Sequence, residues 1–225
     1  MSEVGPMHVA QPDEGHGPGV LVLHEAWGLT PDIRWATEEL GRAGYVAAAP
    51  DLTHVMGGLM GSITQLRNGE GRLIDEALRA VDWLADRETV AGDRLGVVGF
   101  SMGAALGSLL DRHPRVSVLG FNYGMVPPAG FSVRGLPTVA SFGARDRLLP
   151  RAASPLRAAL ADSIDAHDIE VYDGVGHSFM TPFDPSTNKS VAWLVGAKYD
   201  AVAAGAAWSR LLGFFNRHLA AIRPG

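Results

Sequence analysis

Gly99-Phe100-Ser101-Met102-Gly103 places a serine where it could act as a nucleophile. The apolar run Leu95-Gly96-Val97-Val98 leads into it and the helix-forming run from Ala104 to Leu110 leads out, so the pattern reads as strand, sharp turn and helix. Such a turn strains the serine backbone, lifts its hydroxyl above the sheet and needs glycine on both sides for close approach of strand and helix. It also sets the serine at a helix N-terminus, where free N–H groups and the helix dipole favour developing negative charge. A nucleophilic serine needs a base, and the base needs an acid to fix its tautomer. In an open α/β sheet these groups belong outside the carboxyl ends of the strands. His177 follows the strand-like run Ile169-Glu170-Val171-Tyr172 and meets that requirement. His167 starts the same strand and faces the other edge, while His113 and His218 read as surface or packing residues. For the acid, Asp146 follows the apolar run from Leu136 to Phe142. Asp173 is its rival, and Asp162, Asp165 and Asp168 read as a solvated turn.

The chain order is therefore Ser101, Asp146, His177, which is the order of the α/β-hydrolases and of neither chymotrypsin nor subtilisin. An oxyanion hole would take one donor from the backbone N–H of Met102. The other would come from Ala26, in the loop after the continuous apolar strand Gly19-Val20-Leu21-Val22-Leu23. Glu25 is the odd member of that loop, because a carboxylate beside a forming oxyanion repels it unless paired or protonated. Tyr123, after another strand, is expected to line the same cleft. Trp27 and Phe179 join Glu25 and Tyr123 as candidate substrate-binding or accessory residues.

The elements that must position these residues alternate along the chain. Thr30-Pro31-Asp32 opens a helix running through Ala43, with Thr30 as its cap and Ile33, Ala36, Thr37 and Leu40 as its inner stripe. Tyr45 to Ala49 is a short strand, Leu73 to Leu84 an amphipathic helix and Arg115 to Gly120 a buried strand. Alternation of this kind predicts an α/β fold, with a mostly parallel central sheet and helices on both faces. The whole chain, 1–225, reads as a single domain without a large cap. Residues 1–18 are expected to be extended, with Met7 to Ala10 pairing beside strand 19–23. The glycine- and methionine-rich stretch 53–71 is expected to be an irregular loop over the site.

Composition narrows the function classes. With 47% hydrophobic residues the chain can fill a packed core, and no run is long enough to span a bilayer. The N-terminus lacks a basic start and an apolar core, so a cytoplasmic location is expected. A net charge of -5 with no basic cluster argues against nucleic acid as a partner. Phosphate-binding glycine motifs and metal-ligand spacings are absent, so neither a cofactor nor a metal is expected. The absence of cysteine excludes a thiol nucleophile.

Four motifs in order carry a family resemblance: His24-Glu25-Ala26-Trp27-Gly28, Gly99-Phe100-Ser101-Met102-Gly103, Gly143-Ala144-Arg145-Asp146 and Gly176-His177-Ser178-Phe179. With the closing helix that bears Trp208 and Phe214-Phe215, they make the chain similar to the dienelactone hydrolase family from about Val20 to Leu219. The resemblance implies an α/β-hydrolase fold and hydrolysis of a small-molecule ester or lactone without a cofactor. Two positions depart from the family pattern. Ser101 stands where the founding enzymes have cysteine, and Thr181 stands where they carry an arginine for a substrate carboxylate. The expected enzyme is a serine hydrolase acting on a different, uncharged ester, since no residue next to His177 supplies a cation and Arg67 and Arg145 are expected to face solvent. The alternatives are a small-molecule receptor that retains the pocket, or a thioesterase or peptidase using the same residues.

Overall fold

A computed structural model of the protein describes residues 4–130, 135–163, 166–182 and 197–219. Seven strands form one sheet: β1 (Met7–Ala10), β2 (Gly17–Leu23), β3 (Val46–Pro50), β4 (Val90–Phe100), β5 (Val116–Asn122), β6 (Thr138–Gly143) and β7 (His167–Tyr172). Their spatial order is β1-β3-β2-β4-β5-β6-β7. All neighbours from β3 to β7 are parallel, and β1 alone is antiparallel, on the edge beside β3. Among the described residues the helices are α1 (Pro31–Arg42), α2 (Thr53–Met56), α3 (Gly58–Asn68), α4 (Arg72–Ala85), α5 (Met102–Leu109), α6 (Ala153–Ala159) and α7 (Ala201–Leu219).

Alternation along the central strands divides the core into two layers. Leu21, Leu23 and Val97 pack with residues of α4, α5 and α6, whereas Val20, Val22 and Val98 pack with α1 and α7. Both faces of β2 and β4 are thus covered, which is why these strands read as continuous apolar runs. The architecture matches the expected α/β fold.

Three local expectations are corrected. β1 pairs with β3 rather than β2, because both edges of β2 are taken by β3 and β4. The stretch 53–71 is not an irregular loop but carries α2 and α3, joined at Gly57 and Gly58 in the left-handed region (φ 67° and 71°). Gln65 fastens this pair, donating to the carbonyls of Val55 (3.1 Å) and Met56 (3.2 Å) and accepting the N–H of Leu73 at the start of α4 (2.8 Å). Finally, Thr30 does not cap α1 with its side chain; it accepts the Arg34 N–H through its carbonyl, and Pro31 fills the first turn. Among the described residues no helix is long and apolar enough to cross a membrane.

Candidate active site

The turn between β4 and α5 holds Ser101 at φ 52°, ψ -112°, outside the regions that a side-chain-bearing residue prefers. Its surroundings fix it there. The Ser101 N–H donates to the Asn122 carbonyl at the end of β5 (2.9 Å), and its own carbonyl accepts the N–H groups of Ala104 and Ala105. A Cβ on Gly99 would collide with the backbone of Gly103 and Ala104, and one on Gly103 with the backbone of Leu23 and His24. The two glycines are therefore required by the approach of α5 to β4 and β2. Met102 opens α5, so its N–H belongs to the first-turn donors that have no partner inside the helix.

Ser101 Oγ lies 2.8 Å from His177 Nε2, and His177 Nδ1 lies 2.7 Å from Asp146 Oδ2. His177 is 3% and Asp146 7% exposed, while Ser101 is half-buried. The second oxygen of Asp146 accepts the backbone N–H groups of Leu148 and Leu149, both at 2.9 Å. An ionised carboxylate only accepts, so Nδ1 must donate to it and Nε2 is left to take a proton from Ser101. This relay can activate an oxygen nucleophile and return the proton to a leaving group. Asp173, the rival acid, is exposed at the β7 turn and is not part of it.

Beneath His177 lies a second polar layer. Glu25 is buried, and its Oε1 accepts the hydroxyl of Ser178 at 2.8 Å. Ser178 itself sits at φ 54°. Burial pushes the Glu25 carboxyl above its ordinary range, opposed by the charge of His177 and by the Ser178 hydroxyl. Tyr123, at φ 40° and fully buried, stacks edge-on against the His177 ring at 5.1 Å. Its hydroxyl is buried near Glu25 and Thr181 without a well-aligned hydrogen bond, and burial together with the Glu25 charge pushes it far up.

Two braces hold these loops. His24, fully buried at the end of β2, has Nδ1 2.6 Å from the Glu25 carbonyl and accepts the Leu52 N–H on Nε2 at 3.0 Å. Both nitrogens are committed to the neutral ring, and burial lowers its affinity for a second proton. On the other side α7 holds the loop after His177: Trp208 Nε1 donates to the Met180 carbonyl at 3.1 Å, and the Asp200 N–H donates to the Phe179 carbonyl at 3.2 Å.

The fold thus brings Ser101, Asp146, His177, Glu25 and Tyr123 together. Ala26 is half-buried in the loop after β2, one residue from Glu25, and Trp27 is 52% exposed beside it. Two expectations are corrected in position. Tyr123 and Phe179 are wholly buried and do not line an open cleft; Phe179 packs on Tyr123 (5.9 Å) and Tyr172 (5.2 Å) as floor beneath the histidine loop. Arg67 and Arg145 are exposed. Sequence reasoning missed Ser178 as the partner of Glu25 and His24 as a brace. The first pairing spans 153 residues and leaves no local signal.

Comparison with known proteins gives the family and the fold. The chain is 26% identical over 229 residues to a carboxymethylenebutenolidase of Rhodococcus opacus, covering 93% of this chain and 85% of that protein. Its fold superposes on a dienelactone hydrolase-like promiscuous phosphotriesterase from metagenomic libraries with a TM-score of 0.74 at 22% identity, over 92% of this chain and 90% of the other. Thermogutta terrifontis esterase 2, in a form phosphorylated by paraoxon, superposes with a TM-score of 0.68 at 13% identity, over 94% and 88% of the two chains. The family model of the dienelactone hydrolases matches residues 6–219, and with the sheet order and the four motifs it places this chain in the dienelactone hydrolase family.

Proposed function

We propose that this member of the family is a serine hydrolase that cleaves carboxylic esters or lactones through an acyl-serine intermediate. The observation that carries the reading is the continuous relay from Ser101 Oγ through His177 to Asp146, at 2.8 and 2.7 Å. His177 Nε2 takes the Ser101 proton as Oγ attacks the substrate carbonyl. The N–H groups of Met102 and Ala26 hold the resulting oxyanion. Collapse breaks the bond to the leaving oxygen, which receives the proton from His177 and departs as the alcohol or, in a lactone, stays tethered to the acyl group. His177 then takes a proton from water, whose oxygen attacks the acyl carbon, and returns it to Ser101 Oγ as the acid leaves. Asp146 keeps the ring in the tautomer this cycle needs.

A fluorophosphonate probe tests the assignment. That a fold neighbour is a phosphotriesterase and another was captured phosphorylated by paraoxon makes phosphorus esters suitable reagents. Labelling should map to Ser101, and turnover of short p-nitrophenyl esters should disappear in Ser101→Ala. Full esterase activity in that variant would overturn the proposal.

A further inference from the structure

Glu25 is a carboxyl group with little to offset its charge. It is 8% exposed, and its Oε1 receives one neutral hydroxyl, that of Ser178 at 2.8 Å. The groups facing it come from the loops after β7 and β5 and from the end of β2. The loop after β7 brings His177 and Ser178; the loop after β5 brings Tyr123, whose hydroxyl is buried close by and, like that of Ser178, partly offsets the burial of the carboxylate. From the end of β2, His24 is bonded to the Glu25 carbonyl and held neutral, and the field of Asp32, another acid at the start of α1, reaches the neighbouring Tyr123 hydroxyl. Asp146 lies behind His177 and is itself spoken for by the imidazole. His177 is thus the cationic counterpart within this set, and only while it is protonated. In that state it cannot serve as the base.

In a water-poor site a like charge is screened weakly, so a second anion beside an ionised, unpaired carboxylate is strongly disfavoured. We propose that Glu25 gates the charge of the substrate: the site accepts an anionic group beside Ser101 while this carboxyl holds its proton and refuses it once the carboxyl is ionised. The inference rests on the reading of Ser101 as nucleophile and His177 as base, and adds to it a specificity-determining residue. Linkage makes the effect reciprocal, because an anionic substrate that does bind must draw a proton onto Glu25.

The test compares two p-nitrophenyl esters of matched size, one neutral and one bearing a sulfonate, whose charge is constant between about pH 5 and about pH 9. Both use the same nucleophile and base, so that machinery cancels in the ratio of their kcat/KM values. In the wild type the anion-to-neutral ratio should fall by about tenfold or more as pH rises. In Glu25→Gln it should be flat, at the level the wild type reaches in acid. Ser178→Ala is the second variant. Losing the hydroxyl that favours the ionised carboxyl should move the midpoint of the fall to higher pH, which a merely structural role would not do. A flat ratio in the wild type, an unchanged fall in Glu25→Gln or an unmoved midpoint in Ser178→Ala overturns the gate, while neutral-ester turnover and Ser101 labelling keep the hydrolase reading intact. Absence of both neutral turnover and labelling overturns the two together.

Discussion

The two edges of the sheet solve the problem of turning the chain in opposite ways. At the amino edge, the turns into β3 and β6 give their left-handed positions to Gly44 and Gly135, at no steric cost. Charges there stay near water, as where Arg115 pairs with Asp86 and Asp82. At the carboxyl edge the side-chain-bearing residues Ser101, Tyr123, Arg151 and Ser178 occupy positive φ after β4, β5, β6 and β7. Glu25, Asp146 and His177 are buried along the same edge, while Trp27, Met125 and Leu148 stand exposed on its loops and Met60 on α3. Strain of this kind costs roughly 1–3 kcal/mol per residue and persists only where the surroundings over-determine it. One edge is built for economy of folding. The other stores unfavourable conformations and desolvated charge around Ser101.

The difference should be plainest for a histidine removed from each edge. His177→Ala is expected to lower kcat by about 10⁴ to 10⁶, whereas His167→Ala, at the start of β7, should leave turnover within about threefold; steady-state kinetics on one neutral ester decides it. Next in size, Asp146→Asn should keep the fold yet slow turnover by about 10⁴ through the wrong imidazole tautomer, and Asp173→Asn should not. The converse result would make Asp173 the acid. For stability, Gly103→Ala should cost about 3 kcal/mol or more in urea unfolding, because the added methyl meets the backbone of Leu23 and His24.

A smaller effect is expected with pH. His24 binds its second proton less readily in the fold than in the unfolded chain, so its contribution is fully present above the ordinary imidazole range and is lost as pH falls through and below it. Unfolding free energies at about pH 8 and about pH 5 should therefore differ less in His24→Gln than in the wild type, by about 1 kcal/mol. The smallest change belongs to the amino edge. Arg115→Ala, removing half-exposed ion pairs, should cost less than about 1 kcal/mol, and less still in high salt.

What the sequence disclosed followed the range of the interactions involved. The elbow at Ser101 was legible because strand, glycines and helix lie within a dozen or so residues and each enforces the next. Asp146 and His177 could be placed because strand direction alone assigns a residue to an edge. Contacts between distant segments left no such trace. Nothing local in Glu25 points to Ser178, and the edge position of β1 depends on which strands have already filled the edges of β2. The region 53–71 misled for a different reason. Gly57 and Gly58 end one helix and begin another, and a residue that punctuates helices also marks loops. Tyr123 and Phe179 were assigned to the correct edge but to the wrong depth, since periodicity does not report how far a loop residue is buried.

The hold of α7 on the histidine loop bears on how the protein is made. Trp208 grips the Met180 carbonyl and packs against Phe100, the residue before Ser101, at 6.2 Å between rings. Chains grow from the N-terminus at roughly 5–20 residues per second, so a nascent chain carries Ser101, Asp146 and His177 for several seconds before this tryptophan exists. Chains truncated ahead of Trp208 should therefore hydrolyse ester poorly even though all three groups are present.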